Sequence, residues 1–264
     1  MGKIGSFIDV WGIDMVNEKR RVVLICGDAA AGPDFDLVLH NAGFSVDRAD
    51  SGRLGVQQVE RAETDIVLVF PGLPDIDMNE TIQRIRPITK AHIIAMLPSD
   101  DEIEVVLALE AGADQYMAGT GRMRELRARI NAIMRQRERM RQLLNGIDPD
   151  GGEELRHRDL ILNTSTWDVT IDGTSIPVTA TEFSLLHMLL MNPGRVRSKQ
   201  EMVRHLNGYE NGGDSYISSA DQRSIEVHIA NLRRKLGDSA REPKWIETVR
   251  GVGYRMITEQ KLAV

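Results

Sequence analysis

Residues 223–237 read RSIEVHIANLRRKLG and, after a short connection, residues 245–257 read WIETVRGVGYRMI. In the first stretch Ile225, Ile229, Leu232 and Leu236 recur at intervals of four, three and four. At about 100° per residue this spacing gathers them on one stripe, which predicts a helix with a single core-facing side. The opposite side carries Arg223, Val227, Ala230, Asn231 and Arg234, flanked by Ser224, His228 and Lys235, while the acid Glu226 falls to the side. Such a face suits a DNA major groove, where Asn pairs bidentately with adenine, Val meets a thymine methyl and Arg reaches guanine or phosphate. The plainer alternative is a solvated basic helix.

The second stretch argues against that alternative. Two apolar-alternating runs flank Arg250-Gly251-Val252-Gly253, the pattern of a β-hairpin whose tip uses glycines for positive φ. A tip carrying Arg250 is placed to reach a neighbouring minor groove or a phosphate. Helix and hairpin together point to double-stranded DNA.

The chain has 264 residues and 42% apolar content, enough for two domains with a core each. Its net charge of −6 is unevenly divided. Residues 155–264 hold 15 Lys and Arg against 13 Asp and Glu, whereas residues 1–154 hold 18 against 26. The DNA-reading half is therefore only mildly basic, and tight binding needs two copies or a specific site. One cysteine, Cys26, excludes an intramolecular disulfide, and no apolar run approaches the ~18 residues of a membrane span. A cytoplasmic chain without membrane contact is expected. Residues 1–20 lack the unbroken apolar stretch of a signal peptide and are read as an extension, either a tail or a short docking segment.

From Arg21 onward, short apolar runs (VVLIC, DIVLVF, HIIAML) alternate with helical patterns, ending in a long charged helix from about Arg122 to Leu144. Strands alternating with helices imply an α/β fold, a doubly wound parallel sheet covered on both faces. Chemistry in such a fold sits at the carboxyl ends of the strands.

With TATEFSLLHMLLMNPGRVRSKQEM (179–202), the helix and hairpin above, and LEAGADQYM (109–117), the chain resembles response regulators of the OmpR/PhoB type over residues 21–258. The resemblance implies a flavodoxin/CheY-like receiver at residues 21–145, a linker at 146–154 and a winged helix-turn-helix domain at 155–260. It also implies a cytosolic homodimer that binds direct repeats near promoters. Arg223, Ser224, Val227, His228, Arg234, Thr248, Arg250 and Tyr254 match family positions that meet DNA. Asn231 stands where similar proteins often carry arginine, which leaves the operator base open.

The receiver departs from this family at the residues that carry its chemistry. The acidic pair that holds Mg²⁺ is matched by Gly27 and Asp28, the phosphate-accepting aspartate by Phe70, the switch Ser or Thr by Leu97, and the Lys-Pro by Gly119 and Thr120. A phenyl ring neither forms an acyl phosphate nor ligates a hard cation. Phe70 and Leu97 are expected to fill the former acidic pocket and hold one conformation without phosphate. Asp75 and Asp77 in the following loop are the substitute acceptors to weigh, although they match ordinary loop positions.

The family's dimer surface is its fourth helix, fifth strand and fifth helix. Glu110 and Asp114 are candidates to meet Arg129 across a two-fold axis, with Glu125 beside it, and Gln115 replaces an acid often found there. Solvated helix charges are the alternative. IDPDGGEE (147–154) reads as an acidic, glycine-containing linker. Thr179 with Glu182, and Ser198 with Glu201, form capping boxes that start two helices. The Gly- and Ser-rich segment LNGYENGGDSYISSADQ (206–222) is longer than in similar proteins, where this loop can touch RNA polymerase; its length reads either as an altered polymerase contact or as a tolerated insertion.

The expected function is sequence-specific, phosphorylation-independent transcription regulation, with no catalysis, cofactor or metal. The alternatives are a receiver that senses a protein or small ligand, and phosphorylation at a non-standard Asp.

Overall fold

The computed structural model describes residues 20–27, 34–41, 43–119, 123–145, 154–207 and 217–258, with the side chains of 136–145 left aside. The N-terminal extension, Asp28, Thr120 and most of the 206–222 segment's centre lie outside the described residues, so the expectations placed on them stay open.

The first half alternates strand and helix: β1 (Arg21–Ile25), α1 (Asp34–Asn41), β2 (Ser45–Ala49), α2 (Gly52–Arg61), β3 (Ile66–Val69), α3 (Met78–Ile85), β4 (His92–Leu97), α4 (Glu102–Ala111), β5 (Gln115–Ala118) and α5 (Met123–Asn145). The five strands are parallel in the order β2-β1-β3-β4-β5. β3 reads IVLV with every residue buried, as a central strand covered on both faces must. Successive side chains point to opposite faces. Ile25, Val69, Ala95 and Leu97 join the core beneath α2–α4, while Leu24, Leu68, Phe70 and Met96 join the core beneath α1 and α5. Asp77 caps α3 by accepting from Glu80, Asp101 caps α4, and Gly112 ends α4 in the left-handed region at φ 115°.

The second half opens with an antiparallel meander, β6 (Glu154–His157), β7 (Leu160–Asn163), β8 (Asp168–Ile171) and β9 (Thr174–Ser175). Three helices follow: α6 (Ala180–Leu190), α7 (Lys199–Asn207) and α8 (Ser219–Leu236). A short β10 (Arg197–Ser198) pairs with β12 (Gly253–Met256), which also pairs with β11 (Ile246–Val249) to form the wing. The capping boxes at Thr179/Glu182 and Ser198/Glu201 are present, each with both reciprocal hydrogen bonds. A third, unforeseen box at Ser218/Asp221 starts α8, so the helix begins inside the segment read as loop.

The expected apolar stripe of α8 is the core of this half. Ile225, Ile229, Leu232 and Leu236 pack with Leu160, Phe183, Leu186 and Trp245. Full burial of each such side chain stabilises by about 1.5–3 kcal/mol, so α8 is anchored by its stripe rather than by intrinsic propensity. In the wing, Gly251 takes φ 75° at the turn, as expected. Gly253 serves a different need from positive φ: a Cβ there would lie 1.9 Å from the Arg197 carbonyl oxygen, so only glycine permits β10 to pair.

Candidate nucleic-acid interface and the receiver strand ends

The wing and α8 are tied together by a side chain that helical spacing alone did not single out. Arg233 is buried, donates to the Ile246 carbonyl at 2.7 Å and to Thr248 Oγ1 at 2.9 Å, and stands over the Tyr254 ring at 5.7 Å. Burial lowers the Arg233 pKa and raises that of Tyr254. Tyr254 is therefore a packing residue of the wing in this conformation, and Thr248 is exposed but shares its hydroxyl with Arg233. A signal for Arg233 did exist: it sits between the core stripe and the basic face, where a long side chain can reach a neighbouring strand.

Arg223, Arg234 and Arg250 are exposed, and Asn231 is half-buried with its amide oxygen accepting from Arg234 at 3.0 Å. Arg223 pairs with Glu226, which also pairs with Lys199 of α7. Ser224 donates to the Asp221 carbonyl at 2.7 Å. Lys235 is committed to Glu182 at 2.6 Å and so fixes α8 to the start of α6. Two residues expected on the open DNA face are not open here. Val227 and His228 are buried, because the receiver's α4 and β5 cover that side of the helix. Burial pushes the His228 imidazole below its ordinary pKa, with Glu182 and Asp114 pulling the other way, and the Asp114 backbone is its hydrogen-bond partner.

At the carboxyl end of β3, the Phe70 backbone amide bonds to the Ile25 carbonyl at 2.9 Å and the ring is fully buried. It meets Phe35 of α1 edge-on at 5.1 Å, beside Cys26, Met96 and Met117. Leu97 is also buried, but in the cluster on the other face of the sheet. The expectation that the two fill one pocket is corrected by strand alternation: each seals a different side. Gly27 is packed so that a Cβ would stand 3.0 Å from the Gly72 carbonyl oxygen. Gly119 takes φ 84° and donates to the Leu97 carbonyl at 2.8 Å.

Asp75 and Asp77 have structural work. Asp75 accepts from the amides of Gly52, Arg53 and Ile76 at 2.8–3.0 Å and thereby holds the start of α2. Burial raises its pKa, but these amides outweigh that and hold the carboxylate below its usual range. Asp77 is the cap of α3.

Among the residues expected at a dimer surface, Glu110 is exposed. Glu125 and Arg129 pair within α5 at 2.8 Å, and Arg129 also donates to the Tyr116 carbonyl at 3.2 Å. Asp114 is fully buried: Arg86 lies 2.8 Å away and the Ile93 amide 3.0 Å. Burial alone would raise its pKa, yet Arg86, His92 and the Ile93 and Thr181 amides hold it well below the carboxylate range. In this conformation Asp114 is thus enclosed and cannot meet a second copy.

Among the described residues, no group of three or more His, Cys, Asp or Glu is arranged to hold a metal, and no helix is long and apolar enough to cross a membrane.

The geometry defines a class: a doubly wound receiver sheet joined to a winged helix-turn-helix. Residues 173–256 match the family model described as "Transcriptional regulatory protein, C terminal". The chain is 32% identical over 235 residues to the transcriptional regulatory protein AfsQ1 of Streptomyces coelicolor, covering 89% of this chain and 97% of that protein. It is 30% identical over 239 residues to the transcriptional regulatory protein CpxR of Escherichia coli K12, covering 90% and 99%. The chain belongs to the OmpR/PhoB-type response regulators, which are DNA-binding transcription regulators. A solved variant of RitR agrees in fold, with a TM-score of 0.68 at 22% identity over 90% of this chain and 98% of that one.

Proposed function

We propose that this regulator binds its DNA sites without aspartyl phosphorylation and does so as a homodimer on promoter direct repeats in the cytoplasm. The observation that carries the reading is Phe70, a fully buried phenyl ring at the strand end where an acceptor carboxylate would be needed. Both substitutes have structural roles: Asp75 engages both carboxylate oxygens at the start of α2, and Asp77 caps α3 through Oδ1. No residue of the receiver is therefore assigned a catalytic role.

On the DNA side, Arg223, Asn231 and Arg234 are assigned to the major groove, with Asn231 reading a base, and Arg250 to a flanking phosphate or minor groove. Val227 belongs to the same helix face, Ser224 and His228 flank it, and Thr248 lies on the wing. A contact with RNA polymerase is assigned to the segment between α7 and α8.

Treatment of the full chain with acetyl phosphate, or with beryllofluoride and Mg²⁺, tests the reading by intact mass and thermal melting. Unchanged mass and an unchanged Tm are expected, and an adduct that maps to Asp75 or Asp77 would refute it.

A further inference from the structure

The two lobes are closed against one another, and a cleft of about 670 Å³ remains between them. Its receiver wall is formed by the carboxyl ends of β4 and β5 with the start of α5, and its other wall by the end of α7 with the start of α8. The volume lies in the range of small-molecule sites, and strand carboxyl ends that face a second lobe are where such sites form. Bonds across the seam fix both walls. Asp114 accepts from the Thr181 amide at 3.2 Å, and Tyr116 donates to Asp221 in the capping box of α8 at 3.1 Å. Gln115 donates through Nε2 to the Leu206 carbonyl of α7 at 3.2 Å.

That last bond uses only one end of the Gln115 amide. Its Oε1 is buried without a hydrogen-bond partner, and the side chain lines a narrow annex of about 20 Å³ that shares Tyr116, Arg129 and Asn207 with the cleft. The annex has room for a single polar group. A buried acceptor left unmet is costly, so the annex favours a group with an N–H to give. In the cleft itself most charges are committed: Arg129 to Glu125 and the Tyr116 carbonyl, and Asp221 to the amide that it caps. Arg124 and Asp100 line the same cleft, are exposed, and enter no ion pair or hydrogen bond among the described residues. One free cation and one free anion select a zwitterion, because a ligand of a single sign meets one of them as a repulsion. The anchors stand on three separate segments, the deepest in the annex, so the occupant must be longer than one amino acid. The geometry points to a binding site for a short zwitterionic peptide, with its carboxylate on Arg124, its ammonium toward Asp100 and a side-chain donor on Gln115 Oε1. The site goes beyond the DNA-binding reading and does not rest on it.

The test is isothermal titration of the full chain, free of DNA, with L-alanyl-L-asparagine, whose side-chain amide supplies the donor for the annex. Saturable binding of one peptide per chain, and a Tm that rises with peptide concentration, are expected. L-Alanyl-L-aspartate has the same shape but sets a carboxylate against the Gln115 oxygen, and binding about tenfold weaker is expected of it. Arg124→Gln and Asp100→Asn change exposed side chains that hold nothing else. Each should leave the Tm of the free chain as it is and weaken the asparagine peptide about tenfold. No saturable binding of L-alanyl-L-asparagine would overturn the inference, as would equal binding of the aspartate peptide, or binding that either substitution leaves unchanged.

Discussion

The carboxyl ends of β3 and the start of β5 lie in one sheet and have met opposite fates. At β3 the position that a phosphate-switched receiver needs as a carboxylate is matched by Phe70, buried edge-on against Phe35 in an apolar cluster. At β5 the carboxylate of Asp114 is equally buried, and it survives because a guanidinium and two amides satisfy it. A buried charge is tolerated only when paired and hydrogen-bonded. On the function proposed above, the receiver lacks the charge that would receive a signal as phosphate, while at β5 it keeps one that holds Thr181 of the other lobe.

Removing the charge at β5 should have the largest effect. Asp114→Ala leaves Arg86 without its buried partner and strips the cap from Thr181, so a loss of about 3–5 kcal/mol in chemical denaturation is expected. At β3 the comparison is broken in the reverse direction. Phe70→Asp places a carboxylate in the apolar cluster of Phe35, Cys26 and Met96, and a lower Tm with no acyl phosphate by mass is expected. Phe70→Ala, which only opens a cavity, should cost about 3–5 kcal/mol. If Phe70→Asp accepted phosphate without loss of stability, the site would be dormant rather than dismantled.

The DNA side should respond more gently in stability and more sharply in function. Asn231→Ala is expected to weaken specific binding by about 1–3 kcal/mol and to relax preference at one base, measured by selection from a randomised site. Arg250→Ala should weaken binding to all sequences alike and flatten the salt dependence by about one ion.

The smallest effect expected is that of pH on closure. His228 faces Asp114 just before β5, Glu182 on α6 and Lys235 on α8, and burial lowers its pKa in the closed chain. The open chain therefore binds the proton more readily, at about the ordinary imidazole value of 6.5. Closure is favoured above that value and weakens as pH falls through it. Scattering at pH 7.5 and 5.5 should show a modest expansion at the lower pH that His228→Gln removes.

Much of this was legible in the chain because burial writes periodicity. The runs VVLIC, DIVLVF and HIIAML marked the central strands, and the stripe from Ile225 to Leu236 marked the recognition helix. Thr179 with Glu182 marked a helix start through side-chain chemistry that is local in sequence. The start of α8 was missed because Ser218 and Asp221 stand beside a Gly- and Ser-rich run, whose composition outweighed a capping pattern. The fate of Val227 and His228 was missed for another reason: a helical stripe identifies one buried side, whereas these residues are covered by α4 and the start of β5, far earlier in the chain. Asp114 looked like a surface acid for the same reason, since its partners Arg86 and Thr181 are distant in sequence.

The most direct test is footprinting of the best genomic site with the purified full chain, with and without acetyl phosphate and Mg²⁺. Paired half-sites protected at the same protein concentration in both conditions are the result this account predicts. Protection that appears only after the phosphodonor would contradict it, and would place a working acceptor in a receiver where Phe70 leaves none.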